Sequence, residues 1–191
     1  MNIGLYFGSF NPVHIGHLAI ANYMVEYTDI DELWFIISPH NPLKKKASLL
    51  NDHARYDMVY EAVKDDSRFR VSDVEFHMPQ PSYTIDTLAY LEEKYPGKTF
   101  SILMGSDGLR TFHKWKNADV LIKNYVRYIY PRIGEDLDYI RTHENVKIVD
   151  APRFEISSSF IRNAIKENHD VRYFLPKDVF EIIDKAGYYR S

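Results

Sequence analysis

Short apolar runs alternate with helix-like patterns along nearly the whole chain, and this order restricts the fold more than any other feature. Ile3–Phe7 and Leu33–Ile37 are typical of buried strands, and between them Leu18, Ala21 and Val25 recur at helical spacing. Strands joined through helices form parallel sheets with helices on both faces. We therefore predict an α/β fold with a Rossmann-like, doubly wound parallel sheet, in which ligands bind beyond the carboxyl ends of the strands.

The same patterns place the remaining elements. We predict a helix capped by Asn51 or Asp52, a strand within Phe69–Phe76, a helix from Thr84 to Pro96, strands at Phe100–Met104, Tyr125–Tyr130 and Val146–Val149, and helices at Asn117–Lys123, Ser158–Glu167 and Lys177–Ala186. Gly187 is expected to end the last helix. We expect a single domain over residues 1–191, in which residues 155–191 form a C-terminal helical part.

Composition excludes several classes of function. The chain has 24 Lys+Arg against 27 Asp+Glu, a net charge of -3, which argues against an extended nucleic-acid partner. It has no cysteine, so disulfides, Fe–S ligation and thiol catalysis are excluded. Because there is no signal-peptide pattern and no apolar run near the ~20 residues of a membrane span, we expect a cytoplasmic location without a membrane partner. The 15 tyrosines fit either a homo-oligomer interface or a tyrosine-rich core.

The loop after the first predicted strand carries the strongest chemical signal. His14 and His17 are three residues apart, on one face of the first turn of the first predicted helix. Free N–H groups at that helix start bind anions, and two imidazoles there can stabilise charge on phosphoryl oxygens. The alternative is a plain helix start, with a glycine for close packing and two partly exposed histidines.

His14-Ile15-Gly16-His17 resembles the HxGH signature of the nucleotidyltransferase α/β phosphodiesterase superfamily. Asn11 stands where that family usually has Asp. A second segment, Ile156–Arg162, resembles the family's ISSTxIR signature, and one of its serines is also expected to cap a helix. The resemblance implies that this segment binds the triphosphate of ATP. Class I aminoacyl-tRNA synthetases share the first signature, so a fragment of such an enzyme is one rival reading.

The middle of the chain resembles one branch of that superfamily, the bacterial nicotinate-nucleotide adenylyltransferases. Pro81–Leu88 is similar to their PSYTxDTL segment, and Met104–Asp107 to their GAD-type motif, in which the Asp holds a ribose hydroxyl. Trp115 falls where the family stacks a ring on the pyridine. The alternatives are that Ser82 or Thr84 merely caps a helix and that Trp115 is a core aromatic.

Two cationic positions complete the resemblance. Ser38–Lys44 is similar to the family's Pro-Pro-His-Lys loop, which implies a phosphate contact by Lys44 but leaves Lys45 and Lys46 as alternatives. Arg55 fits the family's arginine in the next helix, although a surface ion-pair partner is the alternative.

The resemblance implies transfer of the adenylyl group of ATP, carried with Mg²⁺, to nicotinate mononucleotide. The implied catalytic residues are His14, His17, Lys44 and Arg162. The implied ATP-binding residues are Gly8, Ser9, Phe10, His14, His17, Gly105, Asp107, Ile156, Ser158, Ser159 and Arg162. The implied mononucleotide-binding residues are Ser9, Lys44, Arg55, Tyr83, Thr84, Asp86 and Trp115. No protein metal site is expected, because Mg²⁺ prefers phosphates and water to an all-protein cage.

Three other functions fit the same motifs. Two of them are the same adenylyl transfer to another acceptor, either nicotinamide mononucleotide or phosphopantetheine. In the third the chain is a nucleotide sensor without catalysis, which has less need of the second histidine, His17.

Overall fold

A computed structural model describes residues 1–39, 49–132 and 143–190. Its centre is a sheet of six parallel strands in the order β3-β2-β1-β4-β5-β6. The strands are β1 (Asn2–Gly8), β2 (Glu32–Ile37), β3 (Phe69–Ser72), β4 (Thr99–Gly105), β5 (Arg127–Tyr130) and β6 (Val146–Ile148). The chain starts in the middle of the sheet and builds outward in both directions, so the predicted doubly wound architecture is confirmed.

Helices connect the strands in the described part of the chain. They are α1 (Ile15–Tyr27), α2 (Asp52–Val63), α3 (Thr84–Lys94), α4 (Ser106–Phe112), α5 (Ala118–Asn124), α6 (Ser158–Lys166) and α7 (Lys177–Ala186), with 3-10 turns at Val74–His77 and Arg172–Phe174. None of the described helices is long and apolar enough to cross a membrane.

Each face of the sheet has its own apolar core, because successive side chains of a strand point to opposite faces. On one face Tyr6, Phe35 and Tyr128 pack with residues of α1, α2, α6 and α7. On the other face Leu5 and Ile102 pack with residues of α3, α4 and α5. The C-terminal helices therefore share the core of the first strands.

The helix ends follow the predicted chemistry at three points. The Asn51 side chain accepts a hydrogen bond from the backbone N–H of His53, and that of Ser157 accepts one from Phe160. Gly187 ends α7 in the left-handed conformation, at φ 67°. The sequence did not predict α4, a helix of seven residues that starts directly at the end of β4.

Candidate functional site

The loop from β1 to α1 is held in a tight conformation by its aromatic residue. Phe10 is 2 % exposed and adopts a positive φ of 43°. Its ring packs edge-on against Tyr6 and Phe35, with ring centroids 5.4 Å apart in both pairs. A Cβ at Gly8 would lie 2.8 Å from that ring, so glycine is required there. The Phe10 ring therefore belongs to the core, while Ser9 lies half-buried beside it.

The two predicted histidines lie against each other at the start of α1. Their rings are stacked, with centroids 3.7 Å apart. The backbone N–H of His14 donates to Nδ1 of His17 at 3.2 Å, which places the proton of a neutral His17 on Nε2 and makes that atom a donor. A Cβ at Gly16 would lie 3.1 Å from Nδ1 of His14, so the glycine of the signature makes room for the imidazole.

His14 is neutral at physiological pH. Its side chain is 5 % exposed, and burial lowers its pKa to about 4, with the nearby charge of Arg132 acting in the same direction. Its Nδ1 is buried and has no hydrogen-bond partner among the described residues. A buried nitrogen without a partner costs free energy, and an incoming donor or acceptor would recover it.

Helix α6 joins the first loop from the other end of the chain. The Ser158 hydroxyl donates to the carbonyl oxygen of Pro12 at 2.9 Å. Nη1 of Arg162 donates to the carbonyl oxygen of Asn11 at 2.8 Å, and its Nη2 donates to the Ser159 hydroxyl at 3.1 Å. The structure thus brings the two signatures together, with the exposed Ser159 at the surface and Ile156 half-buried just before the helix.

Arg55 lies in α2 as predicted and is buried beside the first loop. It is 0 % exposed, and its guanidinium donates to the carbonyl oxygens of Ser9 at 2.6 Å, Ser38 at 3.0 Å and Leu50 at 3.1 Å. Nη2 also pairs with the Asp52 carboxylate at 2.5 Å. The guanidinium therefore holds the ends of β1 and β2 together, and its ion pair with Asp52 is formed by a buried arginine rather than by one at the surface.

A cation that sequence reasoning missed, Arg132, lies beside the turn that follows β4. The Ser106 hydroxyl accepts from the backbone N–H of Arg132 at 2.8 Å. Nε of Arg132 lies 3.7 Å from Oδ1 of Asp107, and its Nη2 donates to the Tyr130 hydroxyl at 3.3 Å. Arg132 follows β5 and belongs to no motif, so only its position at the carboxyl edge of the sheet signals its role. Gly105 precedes this turn as predicted.

The PSYT-like segment and the predicted stacking tryptophan come close through an ion pair. Nζ of Lys116 lies 2.7 Å from the Asp86 carboxylate and 4.9 Å from the centre of the Tyr83 ring. Trp115, half-buried, packs on Phe112 with centroids 4.8 Å apart. Helix α3 starts after Tyr83 without a side-chain cap, so neither Ser82 nor Thr84 caps it.

Lys44 and its neighbours Lys45 and Lys46 lie outside the described residues. Within the described part of the chain, no three His, Asp or Glu side chains lie close enough to hold a metal ion.

The chain matches known proteins over most of its length. Residues 5–164 match the cytidylyltransferase-like family model. The chain is 50 % identical over 193 residues, covering 100 % of both chains, to a Flavobacterium johnsoniae protein named "Probable nicotinate-nucleotide adenylyltransferase". A Christiangramia forsetii protein of the same name is 48 % identical, with 98 % of each chain covered.

Among solved structures, the fold is similar to that of the Plasmodium falciparum nicotinic acid mononucleotide adenylyltransferase complexed with NaAD. The TM-score is 0.84 at 23 % identity, with 98 % of this chain and 97 % of that one covered.

We predict that Arg55→Met destabilises the protein. Each buried carbonyl that loses its donor costs about 1–3 kcal/mol, so the free energy of unfolding in urea should fall by at least that amount. The control is Arg172→Met, which removes an exposed arginine paired with Asp170. It should change the free energy of unfolding by less than about 1 kcal/mol. Unchanged stability in Arg55→Met would mean that the guanidinium does not hold the loops.

We also predict that His14 makes the stability depend on pH. The unfolded chain binds a proton near pH 6.5 and the folded chain only near 4, so stability falls as the pH drops through this window. The loss amounts to about 3 kcal/mol at the acid end. Urea unfolding at pH 7.5, 5.5 and 4 measures it. This loss of stability at low pH should be absent in His14→Asn and present in the control His169→Asn, whose ring is exposed. Equal pH profiles for His14→Asn and the wild type would contradict the prediction.

Proposed function

The chain belongs to the cytidylyltransferase-like family, and within it to the nicotinate-nucleotide adenylyltransferases, and from this premise we propose how its residues perform the reaction. The reaction transfers the adenylyl group of ATP to nicotinate mononucleotide and gives deamido-NAD and pyrophosphate, a step of NAD biosynthesis. The sensor and the tRNA-synthetase fragment are thereby set aside.

One observation carries the site assignment. Two segments about 150 residues apart, the His14–His17 turn and the start of α6, meet through the bonds from Ser158 to Pro12 and from Arg162 to Asn11. Both helices begin there, and helix starts favour phosphate. We place the triphosphate of ATP between them. Ser159 and Arg162 contact it from α6, and His14 and His17 from α1.

The chemistry needs charge stabilisation more than proton transfer. A phosphate oxygen of the mononucleotide attacks the α-phosphorus of ATP, and the bond from that phosphorus to the oxygen of the departing pyrophosphate breaks. The second pKa of a phosphate monoester is near ~6, so the nucleophile is already ionised at neutral pH. The protein then supplies position and hydrogen-bond donors for the charge that develops on the oxygens.

Both histidines can supply hydrogen-bond donors for this task. Nε2 of His17 is a donor because its Nδ1 is occupied by the backbone of His14. In the protein without substrate, burial lowers the pKa of His14 to about 4, so its imidazole is a neutral group there. The positive charge comes instead from Arg162 and Arg132, with Lys44 as a further cation outside the described residues. Magnesium enters as part of the substrate, bound to ATP.

The nicotinate end is assigned to the group around α3. The N–H groups at the uncapped start of α3 are suited to the carboxylate of nicotinate. Tyr83, Thr84 and Trp115 frame the pyridine ring, and Lys116 balances the charge of Asp86. Asp107 and Gly105 lie at the end of β4, where they meet the adenosine ribose. We place the reaction in the cytoplasm.

We expect the purified protein to release pyrophosphate from ATP with nicotinate mononucleotide and far more slowly with nicotinamide mononucleotide or phosphopantetheine. His17→Ala should lower kcat by about 10²–10³, the usual effect of one lost donor to a transition state. His169→Ala, on the exposed surface, is the matched control and should keep full activity. Near-normal turnover in a folded His17→Ala variant would refute the mechanism.

Trp115→Ala should mainly weaken binding of the mononucleotide. The loss of one base-stacking contact, about 1–3 kcal/mol, corresponds to a KM for nicotinate mononucleotide raised by roughly 5- to 150-fold. The KM for ATP, measured in the same assay, should stay within about twofold of the wild type. If only the KM for ATP changed, Trp115 would not lie in the mononucleotide pocket and the assignment would be wrong.

A further inference from the structure

Glu75 is a buried acid that the mechanism above does not use. It lies in the 3-10 turn Val74–His77, just beyond the carboxyl end of β3, and is 2 % exposed. No motif of the sequence includes it.

Three hydroxyls converge on its carboxylate. Ser82 donates to Oε2 at 2.9 Å and Thr87 to Oε1 at 2.8 Å, and both bonds are buried. Ser38 gives the third hydroxyl. Ser82 and Thr87 flank the start of α3, so the carboxylate is hydrogen-bonded to both ends of the PSYT-like segment. The Ser82 hydroxyl is directed to Glu75, and the first N–H groups of α3 have no side-chain cap.

Ser38 connects this group to the loop from β1 to α1, residues 9–14, which we call the phosphate loop from its part in the proposed function. Its backbone N–H donates to the carbonyl oxygen of Gly8 at 2.9 Å, and its own carbonyl accepts from the buried Arg55 at 3.0 Å. Arg55 in turn holds Ser9. A continuous set of hydrogen bonds therefore runs from the loop beside His14 to the start of α3.

The arrangement costs stability. Burial raises the pKa of the Glu75 carboxyl, which the three hydroxyls oppose. No positively charged group is among the described residues that bond the carboxylate. An apolar side chain would fill this position without the cost of desolvating a charge, so packing alone does not account for Glu75.

We propose that Glu75 is a positioning residue for the mononucleotide: it fixes the start of α3, with its N–H groups uncapped, at a set distance from the phosphate loop. The proposal rests on the assignment of α3 to the nicotinate end under the proposed function. Glu75 touches no substrate. It acts through Ser82, Thr87 and Ser38.

The test compares Glu75→Gln and Glu75→Ala with the wild type in steady-state kinetics. Because Glu75→Ala removes bonds to a charged acceptor, we expect the KM for nicotinate mononucleotide to rise by about tenfold or more. The KM for ATP should stay within about twofold of the wild type. Glu75→Gln keeps the shape and one acceptor, so it should give an intermediate value and thereby a partial rescue.

Two controls separate positioning from general loss of stability. Val179→Ala opens a cavity in α7, on the other face of the sheet, and should lower the melting temperature without changing the KM for the mononucleotide. Glu93→Ala removes an exposed acid from α3 itself and should leave both KM values unchanged. If Glu75→Gln loses stability but keeps both KM values, as Val179→Ala does, Glu75 is merely structural and the proposal is wrong.

Hydrogen exchange makes the result independent of the assigned acceptor. In Glu75→Gln the amides of residues 82–88 should exchange faster, with little change in α1. If the wild type proves inactive with nicotinate mononucleotide, the proposed function fails, yet faster exchange confined to this segment still supports positioning by Glu75. Unchanged exchange there overturns it.

Discussion

The parallel pairing of β1 with β2 on one side and β4 on the other is the constraint from which the site follows. Because β1 lies at the centre, the connections that leave its two neighbours turn to opposite faces of the sheet, and a crevice opens above it. The loop after β1 enters that crevice with His14 and His17, and the turn after β4 enters it from the other side. Each element of the site is thus the continuation of a strand whose position the sheet has already set.

Buried polar groups keep these loops in register. The ends of β1 and β2 expose carbonyl oxygens that no strand satisfies, and Arg55 supplies donors for Ser9 and Ser38 from the inside. Glu75 is the complementary acceptor, since it accepts hydrogen bonds from Ser82 just before α3, from Thr87 within α3 and from Ser38 just after β2. One cation and one anion, both buried and both bonded mainly to uncharged groups, therefore connect the phosphate loop to the neighbouring helix.

The fold was largely readable from the sequence, because strands buried on both faces appear as continuous apolar runs such as Leu33–Ile37. The short helix α4 was not, since it has seven residues with Gly108 in its middle. In the site, motifs located the loops that carry His14 and Ser158. They did not reveal the part of Glu75 or Arg132, because the bonds of each come from several elements and leave no local pattern.

The hydrogen bonds that join α6 to the first loop form late in the synthesis of the chain. Asn11 and Pro12 are synthesised about 150 residues before Arg162 and Ser158, which bond to them. Translation proceeds at about 5–20 residues per second, so on the order of ten seconds pass between the synthesis of the loop and that of the residues that bond to it. A nascent chain on the ribosome therefore has the first loop without the donors of Ser158 and Arg162, and these bonds form only when the last helices dock onto the finished sheet.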